Sequence, residues 1–189
     1  MAFALAEAAP NCRVNRPGAR YNPCRAVALQ MSIIYLGLGS NVGDRAANLR
    51  SAVNGLPPEV KVLVESAVYE TPPWGVEDQP GFLNMVLRAE TDLAPAALRD
   101  HVKRIERQVG RTETFRWGPR VIDIDILLYD ERIVDTPKLV IPHAQMHKRP
   151  FVLVPLVSIA PDVVHPALGL SMRELLQYVD TTGITVVES

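Results

Sequence analysis

The run Val121-Ile122-Asp123-Ile124-Asp125-Ile126-Leu127-Leu128 decides the fold. Side chains on a strand point alternately to opposite faces. Ile122, Ile124, Ile126 and Leu128 therefore share one face, suited to a core, while Val121, Asp123, Asp125 and Leu127 share the other. A strand over 121–129 with one apolar face needs a sheet and a covering layer to bury it. The two acids are the anomaly. Aspartate is depleted in strands, and two carboxylates about 6–7 Å apart on one face repel each other. A divalent cation offsets that cost, because hard Mg2+ prefers carboxylate oxygen and completes its shell with substrate phosphates. The plainer alternative is a solvated strand face, or pairing with nearby arginines.

Arginines are indeed close. Between Arg99 and Arg120 stand seven basic residues against three acids. Arg111 and Arg120 flank a loop ending Trp117-Gly118-Pro119-Arg120, which delivers Arg120 three residues before Asp123. Guanidinium forks beside a carboxylate-bound cation are what phosphoryl transfer requires, since metal and arginine neutralise a polyphosphate from two sides. A solvated basic helix face explains Arg99 and Arg107 equally well. No G-x-x-x-x-G-K-[ST] motif is present, and the glycines of Gly37-Leu38-Gly39-Ser40-Asn41-Val42-Gly43 miss G-x-G-x-x-G by one position. Gly39 and Gly43 are expected to shape a turn, with Asn41 or Asp44 capping the helix after it.

Further outward, elements alternate. Ser32–Leu38 reads as a buried strand, Asp44–Asn54 as a helix and Val60–Tyr69 as a β-branched strand. Residues 70–81, rich in proline, read as a loop, and Phe82–Glu90 as a strand. Ala94–Val109 reads as a helix. Pro95 suits its first turn, Leu98, Val102, Ile105 and Val109 form its apolar stripe, and Gly110 stops it. The order β-α-β-β-α-β marks an α+β ferredoxin-like sandwich, an antiparallel sheet with helices on one face, to which the remaining chain adds C-terminal elements. Past Tyr129 the pattern is weaker, apart from a helix near 171–178 with Ser171 as cap and Glu174 three residues on.

The bulk properties narrow the function class. Twenty Lys+Arg against 21 Asp+Glu leave a net charge of −1, which argues against broad nucleic-acid binding. No apolar run approaches the roughly 20 residues needed to span a bilayer. Cys12 and Cys24 are the only cysteines, so no thiolate metal site or disulfide framework holds the remaining chain. That suits a reducing, cytoplasmic setting. Residues 1–30 carry four arginines, one acid and no hydrophobic period. They read as an extension to a single domain over 31–189: a disordered tail, a stretch upstream of a true start at Met31, or a transit peptide.

Several segments together resemble the 6-hydroxymethyl-7,8-dihydropterin pyrophosphokinase family of folate biosynthesis. They are Gly39-Ser40-Asn41, Tyr69-Glu70-Thr71-Pro72-Pro73, Asp78-Gln79-Pro80-Gly81-Phe82-Leu83-Asn84, Gly110-Arg111, Arg116 through Ile126, and Ile141-Pro142-His143 with Arg149 and Phe151. The resemblance implies an ATP-dependent transfer of pyrophosphate to the pterin hydroxymethyl oxygen, with release of AMP. It implies two Mg2+ ions on Asp123 and Asp125, and Arg111 and Arg120 as catalytic arginines. Thr71, Pro72, Trp74, Phe82, Asn84, Trp117 and Phe151 match the pterin pocket. Lys103, Glu106, Arg111, Trp117, Arg120, Ile126, Lys138, His143 and Arg149 fall on nucleotide-contact positions. The chemistry is compatible: aromatic faces sandwich a flat ring, and one asparagine offers both a donor and an acceptor to its amide edge.

The Arg111–Trp117 loop is one residue shorter than in the member compared, and Glu113 stands where a basic residue is common. Ala144 replaces a stacking aromatic, and Lys103 and Lys138 replace other polar types. The expected partners are two small molecules, ATP and the pterin, with no nucleic acid or membrane, and a monomer is favoured. The competing expectation is a non-catalytic nucleotide- or RNA-binding module of the same fold.

Overall fold

The computed structural model describes residues 31–73, 78–112 and 118–187. Its elements run β1 (Ser32–Ser40), α1 (Arg45–Asn54), β2 (Val60–Glu65), β3 (Tyr69–Thr71), β4 (Phe82–Thr91), α2 (Pro95–Val109) and β5 (Asp123–Tyr129). A hairpin comes next, β6 (Val134–Thr136) and β7 (Leu139–Ile141), then α3 (Pro150–Ile159), α4 (Met172–Leu176) and β8 (Thr185–Val186). The main sheet has the order β5-β1-β4-β3-β8, with β2 also paired to β4, and its ladders are antiparallel. The expected α+β sandwich is therefore present, with the fourth and first strands of the β-α-β-β-α-β series side by side.

The predicted strand over 60–69 is in fact two. Ser66 breaks it: its N–H donates to Val86 O (2.9 Å), and its hydroxyl accepts from Val86 N (2.9 Å) while donating to Ala67 O (2.7 Å). A side-chain hydroxyl thus takes over part of the backbone ladder. The chain resumes as β3, so Glu70 and Thr71 lie in a strand rather than in the loop expected from residue 70.

Two apolar clusters sandwich the sheet. The first joins Ile34, Leu36, Leu38, Leu83, Met85 and Leu87 to Leu49, Leu98, Val102 and Ile105 of α1 and α2. The helices obey local rules. Asp44 caps α1, accepting from Ala47 N (2.9 Å), and Gly110 ends α2 at φ 111°, a left-handed conformation that glycine adopts freely. The second cluster joins Tyr35, Val86, Leu127 and Leu128 to Val152, Leu153 and Leu156 of α3 and to Met172 and Leu175 of α4. Ser171 and Glu174 form the expected capping box on α4.

Leu128 departs from the expected alternation. The β1–β5 register shifts between Tyr35 and Leu36, pairing Leu128 with Tyr35 and Ile126 with Leu36. This bulge reverses the facing of the residues beyond it. Leu128 joins Leu127 in the second cluster, and Tyr129 takes its place in the first. β5 also begins at Asp123, two residues later than expected.

Candidate active site

Every second residue of three neighbouring strands faces α3, and the site grows on that face. β1 presents Gly37 and Gly39, β4 presents Phe82, Asn84 and Val86, and β5 presents Asp123 and Asp125. The pairing sets the glycines directly against the acids, Gly37 opposite Asp125 and Gly39 opposite Asp123. A side chain on β1 would fill the space the carboxylates face. At Gly39 a Cβ would sit 2.7 Å from Asn84 Oδ1, closer than real contacts allow. Gly39 therefore lies within a strand and keeps it open, a different role from the expected turn. Gly43, at φ 69°, is the residue that makes the turn.

These residues line one pocket together with Thr71, Pro72, Arg120, Arg149, Phe151 and Val152. At one end Asn84 Nδ2 donates to Thr71 Oγ1 (2.7 Å), and Phe82 and Phe151 contribute rings. At the other end lie the acids. Asp123 is held by Arg111 through one oxygen and by Arg120 Nη1 through the other (2.6 Å), with Lys103 Nζ at 3.9 Å. Asp125 has looser company, Arg149 Nη1 at 3.5 Å and His143 Nε2 at 3.7 Å.

The two carboxyls consequently titrate in opposite directions. Burial pushes Asp123 up, but Arg111, Arg120 and Lys103 outweigh it and hold the group below the usual carboxylate range. Burial and the charge of Asp123 push Asp125 above that range, against weaker help from His143, Lys103 and Arg149. Burial works against the Arg111 charge, yet Asp123 and Glu106 raise its pKa overall. Burial lowers the His143 pKa despite the neighbouring Asp125.

Glu106 sits behind this cluster, 2% exposed. Its Oε1 accepts from Lys103 Nζ, Arg111 Nη1 and Ile124 N, each at 2.7 Å. It ties the end of α2 to the start of β5. The structure thus brings Lys103, Glu106, Arg111, Arg120, His143 and Arg149 around the acid pair. It does not bring every expected residue there. Ile126 points into the first cluster, and Lys138 lies exposed in the turn between β6 and β7. Neither lines the pocket. Trp74 and Trp117 lie outside the described residues, as do Glu113 and Arg116.

One organising residue escaped the sequence reading. Asn41, expected at most to cap a helix, is 2% exposed and clamps two loops. Its Oδ1 accepts from Arg120 N (2.8 Å), and its Nδ2 donates to Gln79 Oε1 (3.1 Å) and Pro80 O (3.2 Å). Its backbone N–H donates to Arg120 O (3.2 Å). The only available signal was its place in Gly39-Ser40-Asn41, and that motif does not reveal a partner 79 residues away.

The donor chemistry suits a hard divalent cation. Among the described residues no third His, Cys, Asp or Glu completes a ligand set with the two aspartates. A cation here would fill its shell from phosphate oxygens and water, the usual habit of Mg2+. Asp125, whose bond from Arg149 Nη1 is 3.5 Å long, keeps its oxygens largely uncommitted among the described residues. Arg149 Nε is buried and finds no acceptor among the described residues, so the site holds more donor capacity than they use.

Paired carboxylates, converging cations and a ring-lined recess on an α+β sandwich define a phosphoryl-group transferase. The profile of the 7,8-dihydro-6-hydroxymethylpterin-pyrophosphokinase family matches residues 35–161, and the chain belongs to that family. Among relatives, the 2-amino-4-hydroxy-6-hydroxymethyldihydropteridine pyrophosphokinase of Methylorubrum extorquens is 48% identical over 160 residues, covering 84% of this chain and 100% of that one. The enzyme of the same name from Aquifex aeolicus is 46% identical over 144 residues, covering 76% and 90%. The solved Plasmodium falciparum HPPK-DHPS with pteroate superposes at a TM-score of 0.64 with 18% identity. That likeness concerns the fold, and this chain spans 42% of that longer protein. The alternative of an RNA-binding sheet has no support here, since Phe82 and Phe151 line a recess beneath α3 rather than an open strand face.

Proposed function

We propose that this pocket transfers the β,γ-pyrophosphoryl group of ATP to the hydroxymethyl oxygen of 6-hydroxymethyl-7,8-dihydropterin. The pterin oxygen forms a bond to the β-phosphorus, and the bond from that phosphorus to the α,β-bridging oxygen breaks. AMP leaves with the bridging oxygen, and the hydroxyl proton is released. The observation that carries this reading is one continuous recess with a ring-and-amide end and an acid-and-guanidinium end.

Phe82 and Phe151 pack against the pterin faces, and Asn84, fixed by its bond to Thr71, reads the amide edge. Arg120 and Arg149 neutralise the polyphosphate, and Arg111, held by Glu106, stands behind Asp123 to balance charge. Asp123 and Asp125 are the residues that would hold Mg2+, as one ion or two. The metal supplies Lewis-acid activation and charge neutralisation when bound. The protein's own task is positioning: acceptor alcohol and triphosphate are set end to end in one groove. Lys103, 3.9 Å from Asp123, and His143, 3.7 Å from Asp125, would add donors for the nucleotide beside the acids.

The test is a product assay with ATP, Mg2+ and the hydroxymethyl pterin. AMP should accumulate in step with pterin consumption. Accumulation of ADP, or no dependence on pterin, would overturn the reading.

A further inference from the structure

The stretch matched by the family profile stops at residue 161, yet the chain beyond it returns to β3, the strand behind one wall of the pocket. After α4, residues 180–184 make a compact turn. Asp180 Oδ1 accepts from Thr182 N (2.9 Å) and Thr182 Oγ1 (2.6 Å), and Ile184 N donates to Thr181 O (3.2 Å). The chain then enters the sheet as β8. Val186 pairs with Tyr69 and Thr185 with Glu70, and Val187 N donates to Val68 O (2.8 Å). β3 is only three residues long, and Thr71 at its end and Pro72 just after it are pocket wall. Gly183, at φ 81°, lies behind Pro72, and a Cβ there would stand at ordinary contact distance, 3.6 Å, from its ring carbons.

Nothing in 180–187 lines the pocket itself. Its contacts fall one step behind, on the strand that carries the Thr71 hydroxyl to Asn84. A three-residue strand held on one side only has few backbone bonds to fix it. Pairing on its second side removes that freedom just where the Asn84–Thr71 bond must be set. We propose that the C-terminal segment 180–187 is a positioning element for the pterin end of the pocket, acting through β3 on Thr71 and Pro72. The proposal rests on the reading that this end receives the pterin ring. The acids and arginines are anchored separately, by Glu106 and Asn41, so the segment should govern one substrate and leave the other alone.

Two variants test it, each measured for both substrates. The first ends the chain after Asp180. The second, Val187→Pro, removes the N–H donated to Val68 while leaving the rest of the segment in the chain. The truncation should raise KM for the pterin about tenfold, with KM for ATP and kcat within about twofold of the parent. Val187→Pro should shift the pterin KM in the same direction by a smaller factor. Amide exchange should quicken at 68–71 in both, with α2 unchanged. An unchanged pterin KM in Val187→Pro together with unchanged exchange at 68–71 overturns the proposal. So does an equal rise in both KM values, which marks a general loss of structure. If the truncated chain does not fold, the Val187→Pro result decides alone. A parent protein that makes no pterin-dependent AMP indicts the functional reading instead, and the exchange data then still test the anchoring of β3.

Discussion

Asp123 and Asp125 stand two residues apart on one strand, but their environments give them opposite energetics. Asp123 has an arginine on each oxygen, Arg111 on one and Arg120 on the other. Replacing it with Asn strands two guanidinium groups and should cost about 1–3 kcal/mol of stability. Asp125 is ionised at a loss, held up by burial and by its neighbour. Asp125→Asn should therefore raise the thermal midpoint at neutral pH while turnover falls by about two orders of magnitude or more. The pH dependence separates them further. The lowered Asp123 pKa supplies stability that is complete above the ordinary carboxylate range and lost as pH falls through the folded value. The raised Asp125 pKa has the reverse sign: it destabilises the fold at neutral pH, and that penalty fades as pH falls and the carboxyl protonates. Melting curves of both variants and the parent across acid to neutral pH check this. The advantage of Asp125→Asn should shrink on acidification, and the deficit of Asp123→Asn should shrink too. At Gly39 the prediction is steric. Gly39→Ala sets a methyl 2.7 Å from Asn84 Oδ1 and should raise the pterin KM by displacing that amide.

At the scale of elements, α2 joins core and site. Its inner stripe buries Leu98, Val102 and Ile105, and the same helix turns Lys103 and Glu106 toward β5. Ile105→Ala should cost about 2–4 kcal/mol, read by urea unfolding, because a 1%-exposed side chain leaves a cavity. The stripe of α2 and the alternation in β5 were legible because each is a periodic signal carried by local spacing. α3 was not legible, and its composition says why. Pro-Phe-Val-Leu-Val-Pro-Leu-Val-Ser-Ile is apolar on every side and holds Pro155 within it, so no amphipathic period exists to find. One face of the helix packs on the sheet and α4 through Val152, Leu153 and Leu156, but its less buried side, Phe151, Val154 and Val157, is apolar as well, so the sequence carries no contrast between the two. The split of β2 from β3 was hidden for a different reason: Ser66 breaks the strand only through a bond to Val86, a partner 20 residues away. The site divides along the same line. Acids and arginines announce themselves by charge and spacing. The roles of Gly37, Gly39 and Asn41 depend on register and on loops remote in sequence.

The whole molecule is three layers, with α1 and α2 beneath the sheet and α3 and α4 above it, and the catalytic face shares its side with the smaller cluster. The charge arrangement on that face has a global consequence. The free protein carries one acid whose ionisation opposes folding, and a bound cation should turn that penalty into a gain. A ligand that binds only the folded state at about 100 times its Kd adds about 2.7 kcal/mol. Thermal melts with ATP and excess Mg2+ should show a gain of this order in the parent, and chelation of the metal should abolish most of it. Asp125→Asn starts from a higher midpoint but lacks one of the two carboxylates, so its ligand-induced rise should be small. The two proteins should therefore rank in one order without Mg2+ and ATP, and in the opposite order with them. A variant that gains as much as the parent would show that Asp125 does not hold the metal, whatever its effect on turnover.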